Sequence, residues 1–379
     1  GACTGILLIV FVGYSLHLYL AMGLSTALCI WTALFYLDGV SNPKGRVFGL
    51  LGAVLVVLCV SGPRWIDTAD WSLGRVIDPW GDTRFYFGRS GVVGVADDGS
   101  VYWNGLWHSE LVESHSDAVD TNNWWMAVAP VMAHSTGEIR NVALVGLGTG
   151  ITAGTLSRSN SIERIDAYEL NHTLAELYAS HPVGTMQVAT DPKIRTYWQD
   201  ARSGLALREQ RYDIITTAPL YLHQTGSALL NSRETYELIR SRLRPGGVVC
   251  IFAWGSDAQA LTVRQTAASV FDYHESIWGG YLLLLSDSPL SLDAQSIESK
   301  MRAHASDPLW ADLIDFAGPG GGEALATLVD DPGFGWGDGR LVSTDDRPII
   351  EYPWILEHRV DALGYDRDAI RLPEIGEWS

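Results

Sequence analysis

Gly146-Leu147-Gly148-Thr149-Gly150 stands between a short apolar run, Val142 to Val145, and a helix-like segment, Ile151 to Arg158. About 20 residues further on, Glu169 stands near the end of a second apolar run, Ile165 to Leu170. Strand, glycine turn, helix, strand and acid in this register describe a nucleoside-binding Rossmann-like unit. Glycines let the backbone turn sharply and approach a ligand with no Cβ in the way. An acid at the second strand tip can accept both ribose hydroxyl protons. The candidate nucleoside-binding residues are therefore Gly146, Gly148, Gly150 and Glu169, with Asp200 after the third strand.

Strand and helix alternate on both sides of this unit. Strands are predicted at 142–146, 164–170, 193–198, 212–217, 247–254, 272–278 and 280–286. Helices are predicted at 149–158, 172–180, 201–208, 232–243 and 256–270, with Arg244-Pro245-Gly246-Gly247 as a stop and turn. This alternation implies an α/β fold with a parallel sheet covered on both faces. The last two strands, joined at Gly279-Gly280, can form an antiparallel hairpin at its edge. Ahead of it, residues 83–107 alternate as paired strands, with turns at Gly88 to Gly91 and Asp97-Asp98-Gly99. Residues 292–330 read as short helices, and Gly318 to Gly322 and Pro332 to Gly339 as glycine-rich loops.

The first 62 residues differ in kind. They hold three charged residues, Asp38, Lys44 and Arg46, out of 26 basic and 44 acidic in the chain. Gly5 to Leu37 is apolar, and at ~1.5 Å per residue a helix of that length exceeds the ~30 Å hydrocarbon core. It is one long tilted span or two short ones, and Val47 to Val60 is a further candidate span after a polar turn at 41–46. There is no charged leader, and a second apolar run follows, so this is not a signal peptide. His17 within the first run either ligates a group or bonds within the bundle. Lys44 and Arg46 on one flank balance Arg64 and Arg75 on the other, so the positive-inside rule gives no side for the main domain.

The organisation expected is an anchor (1–62), an interfacial linker (63–82), an antiparallel β module (83–120), a nucleoside-binding domain (121–290) and a helical and loop extension (291–379). Seven of fifteen tryptophans fall between Trp65 and Trp125. Trp65 and Trp71 suit the headgroup level, and Trp80, Trp103, Trp107, Trp124 and Trp125 suit core or interface packing. The acidic excess makes nucleic acid an unsuitable partner. Cys3, Cys29, Cys59 and Cys250 show no paired spacing. The run His108-Ser109-Glu110 to His115-Ser116-Asp117 matches no standard metal spacing and reads as a solvated acidic face.

The motifs together resemble the spermidine synthase family, most of all bacterial members with membrane spans ahead of the synthase domain. Val142 to Gly154, Tyr168-Glu169-Leu170, Asp200-Ala201-Arg202, Tyr212 to Ile215, Ser232 to Gly247 and Thr344 to Pro348 with Glu351-Tyr352 carry the likeness. Gly88 to His108 is similar to the family's β module, and the likeness covers about 83–352. The resemblance implies a Rossmann-like methyltransferase/spermidine synthase fold, decarboxylated S-adenosylmethionine or S-adenosylmethionine as ligand, and a bacterial inner-membrane location; the side of the main domain stays open, with a lean to the cytoplasmic face. In the family an aminopropyl group passes from sulfonium to amine, and an acid after the fourth strand takes the amine proton.

This chain departs from the pattern there. It reads Thr216-Thr217-Ala218-Pro219-Leu220-Tyr221, with Ala218 at the carboxylate position. Thr149 likewise stands where soluble members carry an acid in the glycine motif. Tyr221 and His223 are the titratable side chains close by; His223 is a base near neutral pH or a water-exposed loop residue. Glu169 and Asp200 have local alternatives as helix caps, and Asp345, Asp346 and Arg347 as an ion-pair and turn element. Three functions fit: a degenerate, membrane-anchored accessory or scaffold subunit working with other membrane-protein subunits; an active aminopropyl- or methyl-transferase; and a nucleoside sensor. The missing carboxylate favours the first.

Overall fold

A computed structural model describes residues 83–88, 90–217, 222, 226–330 and 336–365. The apolar runs 5–37 and 47–60, His17 and the linker 63–82 lie outside the described residues. Among the described residues no helix is long and apolar enough to cross a membrane.

The chain groups into two compact units. The first contains, among the described residues, 83–111 and Asn171–Glu176. Its core is a four-stranded antiparallel sheet in sequential order: β1 (Thr83–Gly88), β2 (Gly91–Ala96), β3 (Ser100–Trp103) and β4 (Leu106–Glu110). All of β2, Gly-Val-Val-Gly-Val-Ala, is buried, as a central strand without polar side chains should be. The fourth strand extends the predicted module. Its Leu106-Trp107-His108-Ser109-Glu110 follows an Asn104-Gly105 turn that the sequence reading passed over.

The second unit, Val112–Leu170 and Leu177 onward, is a three-layer α/β domain. In chain order its elements are α1 (His115–Ala118), α2 (Asn122–Ala133), β5 (Asn141–Val145), α3 (Ile151–Ser157), β6 (Arg164–Glu169), α4 (Leu174–Ser180, begun in the first unit), β7 (Ile194–Trp198), α5 (Ala201–Leu207), β8 (Tyr212–Thr217), α6 (Ser227–Leu230), α7 (Arg233–Ser241), β9 (Leu243–Phe252) and α8 (Asp257–Ala268). Then follow β10 (Tyr273–Ile277), β11 (Leu282–Ser286), α9 (Ala294–Ala303), α10 (Pro308–Ala317), α11 (Gly321–Ala326) and α12 (Pro353–Ala362). The sheet order is β10-β11-β9-β8-β5-β6-β7. The five strands β7, β6, β5, β8 and β9 are parallel, and β11 and β10 form the antiparallel edge hairpin. Val145, Ile215, Val249, Ile251 and Leu283 fill the core on one face of the sheet, and Val142, Leu144, Ile214 and Val248 are buried on the other.

Three local expectations are corrected. The Arg244-Pro245-Gly246-Gly247 stretch does not precede β9 but lies inside it, where a register shift opposite Tyr212/Ile214 absorbs the turn and Gly246 takes φ 77°. Gly321 and Gly322 are not loop but open α11, with Gly322 held against Ala294 O and Glu298 too closely for a Cβ. Helix α2 went unread because Trp124 to Ala133 is buried throughout, so no polar face marks a helical period. Thr121 caps it, accepting from Trp124 N at 3.2 Å.

Lys300 on α9 holds the far end of α2. Its buried Nζ donates to Met132 O, to His134 O at 3.1 Å and to Ser291 O at 2.7 Å. The ammonium thereby closes carbonyls that a helix C-terminus leaves open. Replacing Lys300 by Met keeps most of the stem and strands those carbonyls. The expected loss is about 3 kcal/mol, since each buried unpaired acceptor costs ~1–3 kcal/mol. Urea or thermal unfolding of the purified chain measures it, and an unchanged midpoint would contradict the assignment.

Candidate functional site

The five parallel strands direct their carboxyl ends to one edge. The chain runs outward from β5 to β6 and β7, then returns to place β8 on the other side of β5. In open α/β sheets this reversal leaves a crevice where ligands bind. Gly146 follows β5 on one side of the crevice, and β8 ends at Thr217 on the other.

Gly146, Gly148 and Gly150 adopt φ of 94°, 57° and 91°, the left-handed region that side chains avoid. Gly150 is also sterically fixed, because a Cβ there would lie 2.7 Å from Val188 Cγ1 and 2.8 Å from Thr185 O. Glu169, 4% exposed, turns back onto this loop. Its Oε2 accepts from Leu147 N at 2.9 Å and from Gly148 N at 3.2 Å. The carboxylate thus faces the glycine turn rather than the helix that follows it. On the other side of the turn, Tyr178 Oη donates to Gly148 O at 2.8 Å. Burial first, and the Glu169 carboxylate second, push the Tyr178 hydroxyl well above its ordinary pKa, so it remains a donor. Trp198, the register partner of Glu169 at the end of β7, stacks on Tyr178 with centroids 6.1 Å apart.

Tyr178 and Trp198 escaped the sequence reading. Their signal was available only as two aromatic residues, one on a helix and one at a strand end, brought together by the β6–β7 crossover. Leu170 beside them is 59% exposed, and Trp198 is 36% exposed. An apolar surface next to a strand-tip acid is the setting in which a nucleobase can lie.

Asp200 is exposed and caps α5, its Oδ1 accepting from Ser203 N at 2.8 Å. Asp345 pairs with Arg202 through both guanidinium nitrogens, and Thr344 and Arg347 close a tight turn with bonds of 3.2 and 3.0 Å. Ala218, Tyr221 and His223 lie outside the described residues. Between them Leu222 is described and buried, its N–H donating to Trp254 O at 3.1 Å and its carbonyl accepting from Gln259 Nε2 at 3.1 Å. Close to that anchor, after β9, Ser256 Oγ donates to Glu357 Oε1 at 2.9 Å. The C-terminal helix therefore brings a carboxylate to this edge from far along the chain, which the sequence did not disclose.

The His108–Asp117 run is divided between elements. His108 and Glu110 lie in β4, whereas His115 opens α1 and meets Asp312 Oδ2 through Nε2 at 2.7 Å, where Arg158 Nε also bonds at 3.0 Å. Among the described residues no group of three or more His, Cys, Asp or Glu is placed to hold a metal. A cavity of about 370 Å³ lined by His115, Arg158, Met186 and Gln187 lies toward the end of α3 remote from the glycine turn.

No protein-family model matches the chain. Curated relatives do. Polyamine aminopropyltransferase 2 of Pseudomonas aeruginosa is 31% identical over 209 residues, covering 50% of this chain and 58% of that protein. The polyamine aminopropyltransferase of Nitrosomonas europaea is 25% identical over 248 residues, covering 58% of this chain and 71% of its own length. The chain thus spans a little over half the length of the Pseudomonas relative. Among solved structures, a probable spermidine synthase from Corynebacterium glutamicum superposes with a TM-score of 0.46 at 19% identity, over 58% of this chain and 87% of that one. A spermidine synthase bound to the transition-state analogue AdoDATO gives 0.42 at 13% identity, over 55% and 70%. The sequence relation rather than these partial superpositions carries the likeness: the chain is spermidine synthase-like.

Tyr178→Phe removes the bond to Gly148 O while keeping the stack on Trp198. A neutral hydrogen bond contributes about 1 kcal/mol, so urea unfolding should show about that loss of stability, and an unchanged midpoint would contradict the bond. The Arg202 guanidinium holds the Asp345 carboxyl below its ordinary value of 3.8. A depressed carboxyl stabilises the fold fully above its unfolded value and loses that effect as pH falls through the folded one. Arg202→Met should therefore be less stable than the native chain at pH 7, and the gap between their urea midpoints should close as pH falls through the folded value of Asp345.

Proposed function

We propose that this spermidine synthase-like chain is a membrane-anchored protein that binds S-adenosylmethionine or its decarboxylated form without passing an aminopropyl group, and serves as an accessory subunit beside other membrane proteins. One observation carries the reading. The Gly146–Gly150 turn and Glu169 are locked together in a ready cradle, while Ala218 stands where the family places its proton acceptor. In this reading Glu169 Oε2 orders the turn and its carboxylate receives ribose hydroxyls. Leu170 and the Trp198–Tyr178 stack flank the base, and the sulfonium end points across β5 toward β8. Asp200, spent on a helix cap, supports the wall rather than gripping the ligand.

The catalytic deficit is a matter of charge. Transfer requires an amine nitrogen to attack the carbon next to sulfur, the carbon–sulfur bond to break, and a base to take the amine proton. Alanine supplies neither the base nor the charge that holds a cationic amine. The anchor rests on the apolar runs Gly5 to Leu37 and Val47 to Val60, and the main domain is assigned to the cytoplasmic face of a bacterial inner membrane.

A second reading, an active transferase, has one observation in its favour. Glu357 reaches Ser256 at the same sheet edge and is a carboxylate of distant origin near the Leu222 loop. His223 and Tyr221 flank Leu222 in the sequence.

Calorimetry with each nucleoside, followed by a putrescine turnover assay, separates the readings. Binding without turnover is expected, and Ala218→Asp is expected to raise turnover from background. Turnover by the native chain that Glu357→Gln abolishes would establish the second reading instead. Absence of binding by both nucleosides would remove the cradle from either. Gentle detergent purification should bring other membrane subunits along, and a lone monomer would count against the accessory role.

A further inference from the structure

The two ends of the four-stranded sheet differ. At one end the β2–β3 turn, Asp97-Asp98-Gly99, is polar, with Asp98 Oδ1 accepting from Ser100 N at 2.8 Å. At the other end the β1–β2 and β3–β4 turns lie side by side and are stapled. Asn104 N donates to Val92 O at 2.9 Å, and Asn104 Oδ1 accepts from Val92 N at 2.9 Å. Asn104 holds a left-handed φ of 51° to make both bonds.

Three large apolar side chains stand exposed on this end: Phe87 at 51%, Leu106 at 43% and Trp107 at 40%. Strand register sets their arrangement. Phe85, Gly94, Tyr102 and Trp107 are successive partners across the sheet, so Trp107 shares a face with Phe85 and Phe87. Leu106 pairs with Trp103 and lies on the opposite face. With strands ~4.8 Å apart, the end spans roughly 14 Å from β1 to β4. Single exposed apolar residues are ordinary, but three gathered on one rigid end, with a polar turn at the other, form a directional surface.

The sequence leading into β1 suggests what covers it. Residues 63–82, which hold Trp65, Trp71 and Trp80, connect the sheet to the apolar run Val47 to Val60. Twenty extended residues reach at most about 70 Å, so the module is tethered near any bilayer the runs enter. The chain's net charge of −18 gives no attraction to anionic headgroups, which leaves apolar contact as the driving force. Tryptophan prefers the interfacial layer, where its ring is apolar and its N–H stays hydrated.

We propose that the Phe87/Leu106/Trp107 end of the β module seats in the interfacial layer of the lipid bilayer. The contact rests on the anchored reading above and adds a second, non-spanning attachment that orients the module. It requires no binding of nucleoside.

The test uses the full chain in phosphatidylcholine vesicles, with Cys3, Cys29 and Cys59 changed to Ser and the buried Cys250 left in place. A nitroxide is attached at Trp107→Cys, at Phe87→Cys in case the first variant does not fold, and at Asp98→Cys as the control from the polar end. Power saturation compares collisions with membrane-dissolved oxygen and an aqueous nickel chelate. Oxygen should dominate at 107 or 87, and nickel at 98. Nickel dominating at 107 and 87 overturns the proposal. So does a label shielded from both, which would mean that residues 63–82 or another protein chain covers this end. An alkaline carbonate wash of the same vesicles distinguishes the two levels. A chain released by the wash refutes the anchor and this contact with it, whereas a retained chain with a water-exposed label refutes the contact alone.

Discussion

The hydrogen bonds from Leu147 N and Gly148 N to Glu169 Oε2 join the tips of β5 and β6 and set the geometry of everything above them. A buried carboxylate must find donors, and backbone N–H groups in a left-handed glycine turn can converge on one oxygen as few other groups can. The turn is therefore shaped by the acid as much as by its glycines. Tyr178 closes the opposite side by donating to Gly148 O. With donors and acceptors matched on both sides, the cradle is formed before any ligand arrives, and a nucleoside would meet little ordering cost.

The same economy recurs where the sheet has to be tied at its other edge. Asp213 Oδ2 accepts from Arg140 N and Asn141 N at 2.9 and 2.8 Å and also meets Arg244. Asp166, fully buried in β6, is held by Arg164 at 2.8 Å and by Tyr212 Oη at 2.9 Å. Tyr212 in turn lies 3.1 Å from Tyr168 Oη. Burial of such groups is tolerable only when each is paired, so they fix strand register more than they add net stability. Glu169 is the exception in kind: it is satisfied by the very loop that would meet a ligand.

Much of this was legible in the chain. The parallel strands and their helices announced themselves because two-faced strands read as apolar runs and amphipathic helices keep a polar face, as in α7 with Arg233, Glu234, Glu237 and Arg240. Gly146, Gly148 and Gly150 were legible because positive φ selects glycine locally. Asp200 was legible as a cap for the same local reason. Helix α2 was not, because complete burial erases periodicity. The start of β9 was not, because Leu243 pairs with Tyr212 ahead of the turn and Arg244 to Gly247 bulge out before pairing resumes at Ile214 and Val248.

By itself the sequence determined the alternation of strand and helix, the glycine turn and the acid that follows it. These follow from short-range sterics and hydrogen bonding, which a few neighbouring residues express. Only the tertiary structure decided which oxygen of Glu169 the turn would use, that Tyr178 and Trp198 would stack beside it, that Glu357 would arrive at Ser256, and that Phe87 and Trp107 would share one exposed end. Each of these joins residues brought together by strand register or helix crossover, and the energy that selects them exists only once distant parts of the chain have excluded water from between them.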